Sequence, residues 1–147
     1  MTIKTHSTAD TEAVGARLAR WIIEENIPSP FVALFGDMGV GKTAFTRGFC
    51  RELGILRVKS PTYTVVNEYR GPSHTVYHFD LYRLQGIDDL EGIGYGEYLS
   101  SSAIKLCEWS ERLGDDLPDQ YIRVDILRDE GDTREIIITQ NITEGSL

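Results

Sequence analysis

The chain has 147 residues, 41% hydrophobic and 26% charged, which is a globular composition and excludes a disordered or fibrous protein. This length fits one domain, expected to span 1–147 and large enough to bury a core without disulfides or structural metal. With 15 Lys plus Arg against 23 Asp plus Glu, the formal charge of -8 argues against a free-standing nucleic-acid binder that works by neutralising phosphates.

In chain order, the S-T-A-D run from Ser7 reads as a capping box with Asp in place of Glu. Val14, Leu18, Trp21 and Ile22 then recur at helical spacing, so an amphipathic helix is expected to end near Asn26. Pro28 and Pro30 break the chain before FVALF at 31–35, a short apolar run of the kind found in a fully buried strand. A second helix is expected over 43–53, with Phe45, Phe49 and Leu53 on one face and Gly54 as its left-handed cap. Residues 64–69 and 75–79, rich in β-branched and aromatic side chains around Gly71-Pro72, read as a hairpin. The glycine- and carboxylate-rich stretch 86–99 suggests short helical turns and loops. Residues 103–107 form another apolar strand closed by Glu108, and 121–127 with 135–139 a terminal hairpin around Gly131.

Cys50 and Cys107 lie inside apolar patterns without metal-ligand spacing, so both are expected as buried free thiols in a reducing cytosol. No apolar run approaches the roughly 18 residues of a membrane span, and the start lacks a signal-peptide core. The expected location is cytoplasmic, with no membrane partner. Arg47, Arg51, Arg57 and Lys59 make a basic stretch that reads as a solvated face or a partner contact.

The chemistry concentrates at Gly36-Asp37-Met38-Gly39-Val40-Gly41-Lys42-Thr43, which satisfies G-x-x-x-x-G-K-[ST] between a strand and a helix. Such glycines let backbone N–H groups turn inward around phosphate oxygens, and the helix start adds the positive end of its dipole. Lys42 is expected at the β- and γ-phosphates and the Thr43 hydroxyl on Mg²⁺. Asp80 and Glu108, each at the end of an apolar strand, are the two candidates for the acidic group that holds the metal's water shell. Leu81 follows Asp80, so adjacent paired carboxylates are absent. Ser60-Pro61-Thr62-Tyr63 puts hydroxyls on a proline-limited loop, where Thr62 is a candidate γ-phosphate sensor. His74 and His78 read as sheet residues, and histidine catalysis has little support.

Taken together, GDMGVGKTAFTRGF, KSPTYTVVNEY, HFDLYRL and LCEW make the chain resemble the TsaE (YjeE) family of tRNA threonylcarbamoyladenosine biosynthesis proteins. The resemblance implies a three-layer α/β P-loop domain with a central mixed, mainly parallel sheet. It also implies a weak ATPase that acts with the partner proteins TsaB and TsaD, resetting their threonylcarbamoyl transfer and meeting tRNA only through the complex. Carried onto this sequence, it assigns the phosphates to Lys42 and to the backbone of Met38, Gly39, Val40, Gly41 and Thr43. Mg²⁺ falls to Thr43 and Glu108, and metal-bound or attacking water to Asp80. Thr62, with Ser60, matches a switch-like loop, and Trp109 is expected beside Glu108. The nucleoside end is assigned to Thr8, Thr11 and Arg134.

Ala44 replaces the second threonine of the family's G-K-T-T, which puts a second hydroxyl contact to the α-phosphate in doubt, and Ser110 stands where many members have proline. Two other functions fit the residues alone: a nucleotide-gated binding module with negligible catalysis, and a small-molecule kinase. The second would usually need an arginine-rich lid, and 86–99 contains no Lys or Arg.

Overall fold

A computed structural model describes residues 1–37, 39–59, 65–82, 84 and 87–141. Its elements are β1 (Thr2–Thr5), α1 (Thr8–Glu24), β2 (Phe31–Phe35), α2 (Lys42–Glu52), β3 (Val66–Arg70) and β4 (Thr75–Asp80). They continue as α3 (Ile87–Gly92), α4 (Tyr95–Ser100), β5 (Ile104–Glu108), β6 (Tyr121–Arg128) and β7 (Arg134–Asn141), with 3-10 turns at Ser110–Arg112 and Gly114–Asp116.

Among the described residues seven strands join one mixed sheet in the order β1-β7-β6-β2-β5-β4-β3. Its centre, β6-β2-β5-β4, pairs parallel, while β7 and β3 run antiparallel to their neighbours. β1 pairs antiparallel with β7 and so regains the direction of the central strands. The sheet is thus mainly parallel in strand direction, as expected.

Alternation along the strands divides the interior in two. Val32 and Leu34 of β2 face a cluster with Val14, Leu18 and Ile22 of α1 and Phe45, Phe49 and Cys50 of α2. Phe31, Ala33 and Phe35 face the opposite cluster, which holds Leu90, Tyr95 and Leu113. Helices therefore cover both faces, giving a three-layer α/β P-loop fold in which β2 is buried throughout. Phe45 and Phe49 are fully buried, each worth roughly 1.5–3 kcal/mol in apolar area removed from water.

The local signals act as sequence chemistry predicts. Ser7 caps α1 by accepting the Asp10 N–H at 3.1 Å, while the Asp10 carboxylate accepts the N–H of His6, one residue before the cap, at 3.0 Å, so the return half of the expected capping box is displaced by one residue. At the end of α2, Gly54 adopts φ +79°, its N–H bonding Arg51 O while the Ile55 N–H bonds Cys50 O, a Schellman motif. Both cysteines are free and buried, and burial pushes each thiol up to about 12. Among the described residues no helix is long and apolar enough to cross a membrane.

Candidate phosphate and metal site

β2 delivers the chain at its C-terminal end directly into the P-loop. Gly36 stands where only glycine fits: a Cβ there would lie 2.7 Å from Ile126 O and 2.9 Å from Val40 Cγ2. Gly41, at φ +115°, precedes α2 without a side-chain cap. The first-turn amides of α2, which have no partner within a helix, are thereby left as anion donors. The loop is braced from the terminal hairpin, because Arg134 Nε donates to Val40 O at 3.0 Å and Arg128 Nη2 to Gly39 O at 3.3 Å. Glu111 accepts the Gly36 N–H at 3.1 Å.

Lys42 is buried, its Nζ donating to Gly36 O at 2.7 Å and lying 3.4 Å from the centroid of the Trp109 ring. Burial lowers its affinity for the proton, opposed by the charges of Glu111, Glu108, Asp80 and Asp37. The charges of four carboxylates thus act on the Lys42 ammonium. Trp109 takes the left-handed conformation, φ +60°, and Tyr82 packs against it at 4.9 Å. Ser110 holds that corner by donating Oγ–H to Cys107 O at 2.9 Å.

Asp80 and Glu108 are register partners at the ends of β4 and β5, on the sheet face that carries α2. Burial raises the Asp80 carboxyl above the ordinary carboxylate range and Glu108 adds to this, opposed by the Tyr82 N–H at 3.1 Å and by His78 and Lys42. Two carboxylates held together in this way favour a cation between or beside them. Thr43, exposed in the first turn of α2, supplies a hydroxyl. Among the described residues no group of three or more His, Cys, Asp or Glu forms a metal cage. A hydroxyl and one or two carboxylates next to a phosphate cradle is nevertheless the donor set that suits Mg²⁺, which keeps waters and shares phosphate oxygens.

At the opposite side of the loop, His6, Ser7, Thr8, Thr11, Gly39, Val40, Gly41, Ala44, Asp132 and Arg134 line a pocket of about 370 Å³. The three residues assigned to the nucleoside end all line it. Two have their polar atoms engaged elsewhere: Thr11 Oγ1 lies 3.0 Å from Thr5 Oγ1 in a buried pair, and Arg134 bonds Val40, Gly131 and Thr133 carbonyls. Thr8 is exposed. Met38, Ser60 and Thr62 lie outside the described residues.

Three features escaped sequence reasoning. His78 is a buried sheet residue, as expected, yet its Nε2 lies 2.5 Å from Glu108 Oε2. Glu111 and Arg128 hold the P-loop backbone; their proximity follows from strand order, and only their charge was visible in the sequence. Of the basic stretch, Arg47 and Arg51 both reach Glu12 across the α1–α2 contact, at 3.1 and 3.3 Å.

The family model described as "Threonylcarbamoyl adenosine biosynthesis protein TsaE" matches residues 5–136. A Bacillus subtilis protein named tRNA threonylcarbamoyladenosine biosynthesis protein TsaE is 40% identical over 113 residues, covering 76% of this chain and 70% of the relative. Its namesake from Haemophilus influenzae is 43% identical over 113 residues, covering 76% and 72%. The crystal structure of Bacillus subtilis YdiB superposes with a TM-score of 0.78 at 31% identity, covering 96% of this chain and 85% of that one.

Proposed function

The chain belongs to the TsaE family and to tRNA threonylcarbamoyladenosine biosynthesis, and from that premise we propose a single-domain, Mg²⁺-dependent P-loop ATPase that resets a TsaB–TsaD transferase between turnovers. The observation that carries this reading is the convergence of Asp80 and Glu108, at the ends of two parallel strands, on the Lys42 ammonium of an uncapped P-loop helix.

In this reading the amides of residues 38–43 hold the phosphates, with Met38 assigned from sequence alone. Lys42 exchanges the Gly36 carbonyl and the Trp109 ring for β- and γ-phosphate oxygens, and its proton stays on Nζ because the new partners are anionic. Thr43 and Glu108 hold Mg²⁺, which when bound neutralises charge on the transferring phosphoryl group. Asp80 accepts a hydrogen bond from the attacking water and orients it. Thr62 senses the γ-phosphate, and Thr8, Thr11 and Arg134 frame the nucleoside pocket.

One carboxylate pair without a second adjacent acid supports slow hydrolysis by the isolated chain and acceleration by TsaB and TsaD in the cytoplasm. The -8 charge fits a subunit that meets tRNA only through that complex. The experiment is multiple-turnover tRNA modification by TsaB and TsaD supplied with an activated threonylcarbamoyl donor, ATP and this chain. With Lys42→Ala the reaction stops after its first round; sustained modification with that variant would reject the reading.

A further inference from the structure

β3, β4 and β5 carry a hydrogen-bonded chain that phosphate binding does not itself require. Glu108 Oε2 lies 2.5 Å from His78 Nε2, and His78 Nδ1 lies 3.0 Å from the Tyr69 hydroxyl. That hydroxyl donates to Lys59 O at 2.7 Å and accepts the Lys59 N–H at 3.0 Å, while Asn67 Nδ2 donates to the same carbonyl at 3.2 Å. Strand register produces the alignment. Parallel pairing sets His78 beside Leu106 and Asp80 beside Glu108, and antiparallel pairing sets Tyr69 beside Val76. With a side-chain period of two, Tyr69, His78 and Glu108 share one sheet face as diagonal neighbours.

A carboxylate at a strand end turns readily about its terminal torsion. Here one oxygen is held by an imidazole that is 1% exposed and whose two nitrogens both have partners, so the ring has no freedom to turn and the carboxylate plane is set by it. The other end of the chain is backbone: Lys59 is the residue immediately before Ser60-Pro61-Thr62 in sequence.

We propose that His78 and Tyr69 are positioning residues for Glu108, fixing the orientation in which its carboxylate meets the metal and tying that orientation to the Lys59 peptide. This rests on the ATPase reading for its consequence, though the geometry it asserts exists without nucleotide. His78 touches neither substrate nor metal in this account. It acts on them through Glu108, and Tyr69 acts through His78.

The test uses the full chain with Tyr69→Phe, His78→Leu and His78→Gln. Two quantities are read: the Mg²⁺ concentration for half-maximal ATP hydrolysis, set against affinity for a fluorescent ATP analogue, and the ¹³C shift of the Glu108 carboxylate without nucleotide. His78→Leu is expected to raise the Mg²⁺ requirement about 10–100-fold, the range for losing an outer partner of a metal ligand, with little change in analogue affinity. His78→Gln, whose amide can still donate to Glu108, recovers part of that loss. Tyr69→Phe moves the Glu108 signal although Tyr69 does not touch that residue, and raises the Mg²⁺ requirement by a smaller factor.

An unchanged Mg²⁺ requirement in His78→Leu, or an unmoved Glu108 signal in Tyr69→Phe, overturns the proposal. So does a loss that tracks the melting temperature and that glutamine does not relieve, since that marks a merely structural histidine. If the wild-type chain hydrolyses no ATP under any condition, the ATPase reading fails separately. The carboxylate signal then decides the positioning claim by itself, supporting it if it moves and rejecting it if it does not.

Discussion

Asp80 and Glu108 are direct register partners at the ends of the parallel strands β4 and β5, so the sheet itself holds two carboxylates side by side. Burial and Glu108 together keep the Asp80 carboxyl above its ordinary 3.8. Between the ordinary and the raised value the folded chain holds more protons than the unfolded one, so stability falls as pH rises through that window. Asp80→Asn removes this cost. The nucleotide-free variant is expected to melt above wild type at neutral pH, with the gap closing as pH falls below the ordinary carboxylate range, while Mg²⁺-dependent hydrolysis drops. Melting curves against pH, paired with phosphate release, check both halves. A variant that melts lower at neutral pH contradicts the electrostatic account.

The Lys42 ammonium lies 3.4 Å from the Trp109 ring centroid, where an approaching cation is attracted to the ring face. Triphosphate binding should draw it away. With two tryptophans in the chain, a Trp21→Phe background isolates Trp109, and its emission is expected to change on adding ATP. Lys42→Ala should show no ATP-dependent change. Saturable ATP binding with constant Trp109 emission would rule out the predicted move.

Gly48 on α2 meets α1 so closely that a Cβ would lie 1.9 Å from Glu12 O. Helix propensity alone favours alanine over glycine by about 1 kcal/mol, whereas overpacking costs typically about 1–3 kcal/mol. At 1.9 Å from backbone the clash outweighs propensity, because a carbonyl cannot rotate aside. Gly48→Ala is therefore expected to lower the denaturant midpoint, and a raised midpoint would show that the two helices can separate freely.

Lys105 on β5 is 1% exposed, with Nζ donating to Ser29 Oγ at 2.7 Å and Ser101 O at 2.6 Å, and burial lowers it from 10.5 to about 8. The unfolded chain then binds the extra proton between those values, so this group's contribution to stability rises with pH through the window and is lost as pH falls through about 8. Lys105→Met should flatten the difference in stability between pH 8 and 10 relative to wild type, read from denaturant melts. An unchanged slope would mean that the ammonium is better solvated than its surroundings imply.

Much of the fold was legible locally. FVALF, the capped start at Ser7 and the Gly54 stop each carry their structure within a few residues, and the P-loop motif lies between a strand and a helix as its chemistry requires. β1 was not legible: Thr2–Thr5 is four residues of weak pattern that becomes a strand only by pairing with β7 at the far end of the chain. The same limit hid the partnership of His78 with Glu108. A histidine in an alternating strand reads as a sheet residue, and only the β4–β5 register turns it toward a carboxylate thirty positions on. Arg134 was found by position, at the lining of the pocket, but its bracing bonds to the P-loop carbonyl of Val40 and the hairpin carbonyls of Gly131 and Thr133 were not.

The central claim is that Glu108 and Lys42 serve one ATP-hydrolysing site whose output depends on partners. The direct measurement is steady-state phosphate release from ATP and Mg²⁺ by this chain alone, by TsaB with TsaD, and by all three, repeated with Glu108→Ala and Lys42→Ala. The account predicts release by the three together well above the sum of the separate rates, and its loss in both variants. A rate equal to that sum, or full activity in both variants, would contradict it.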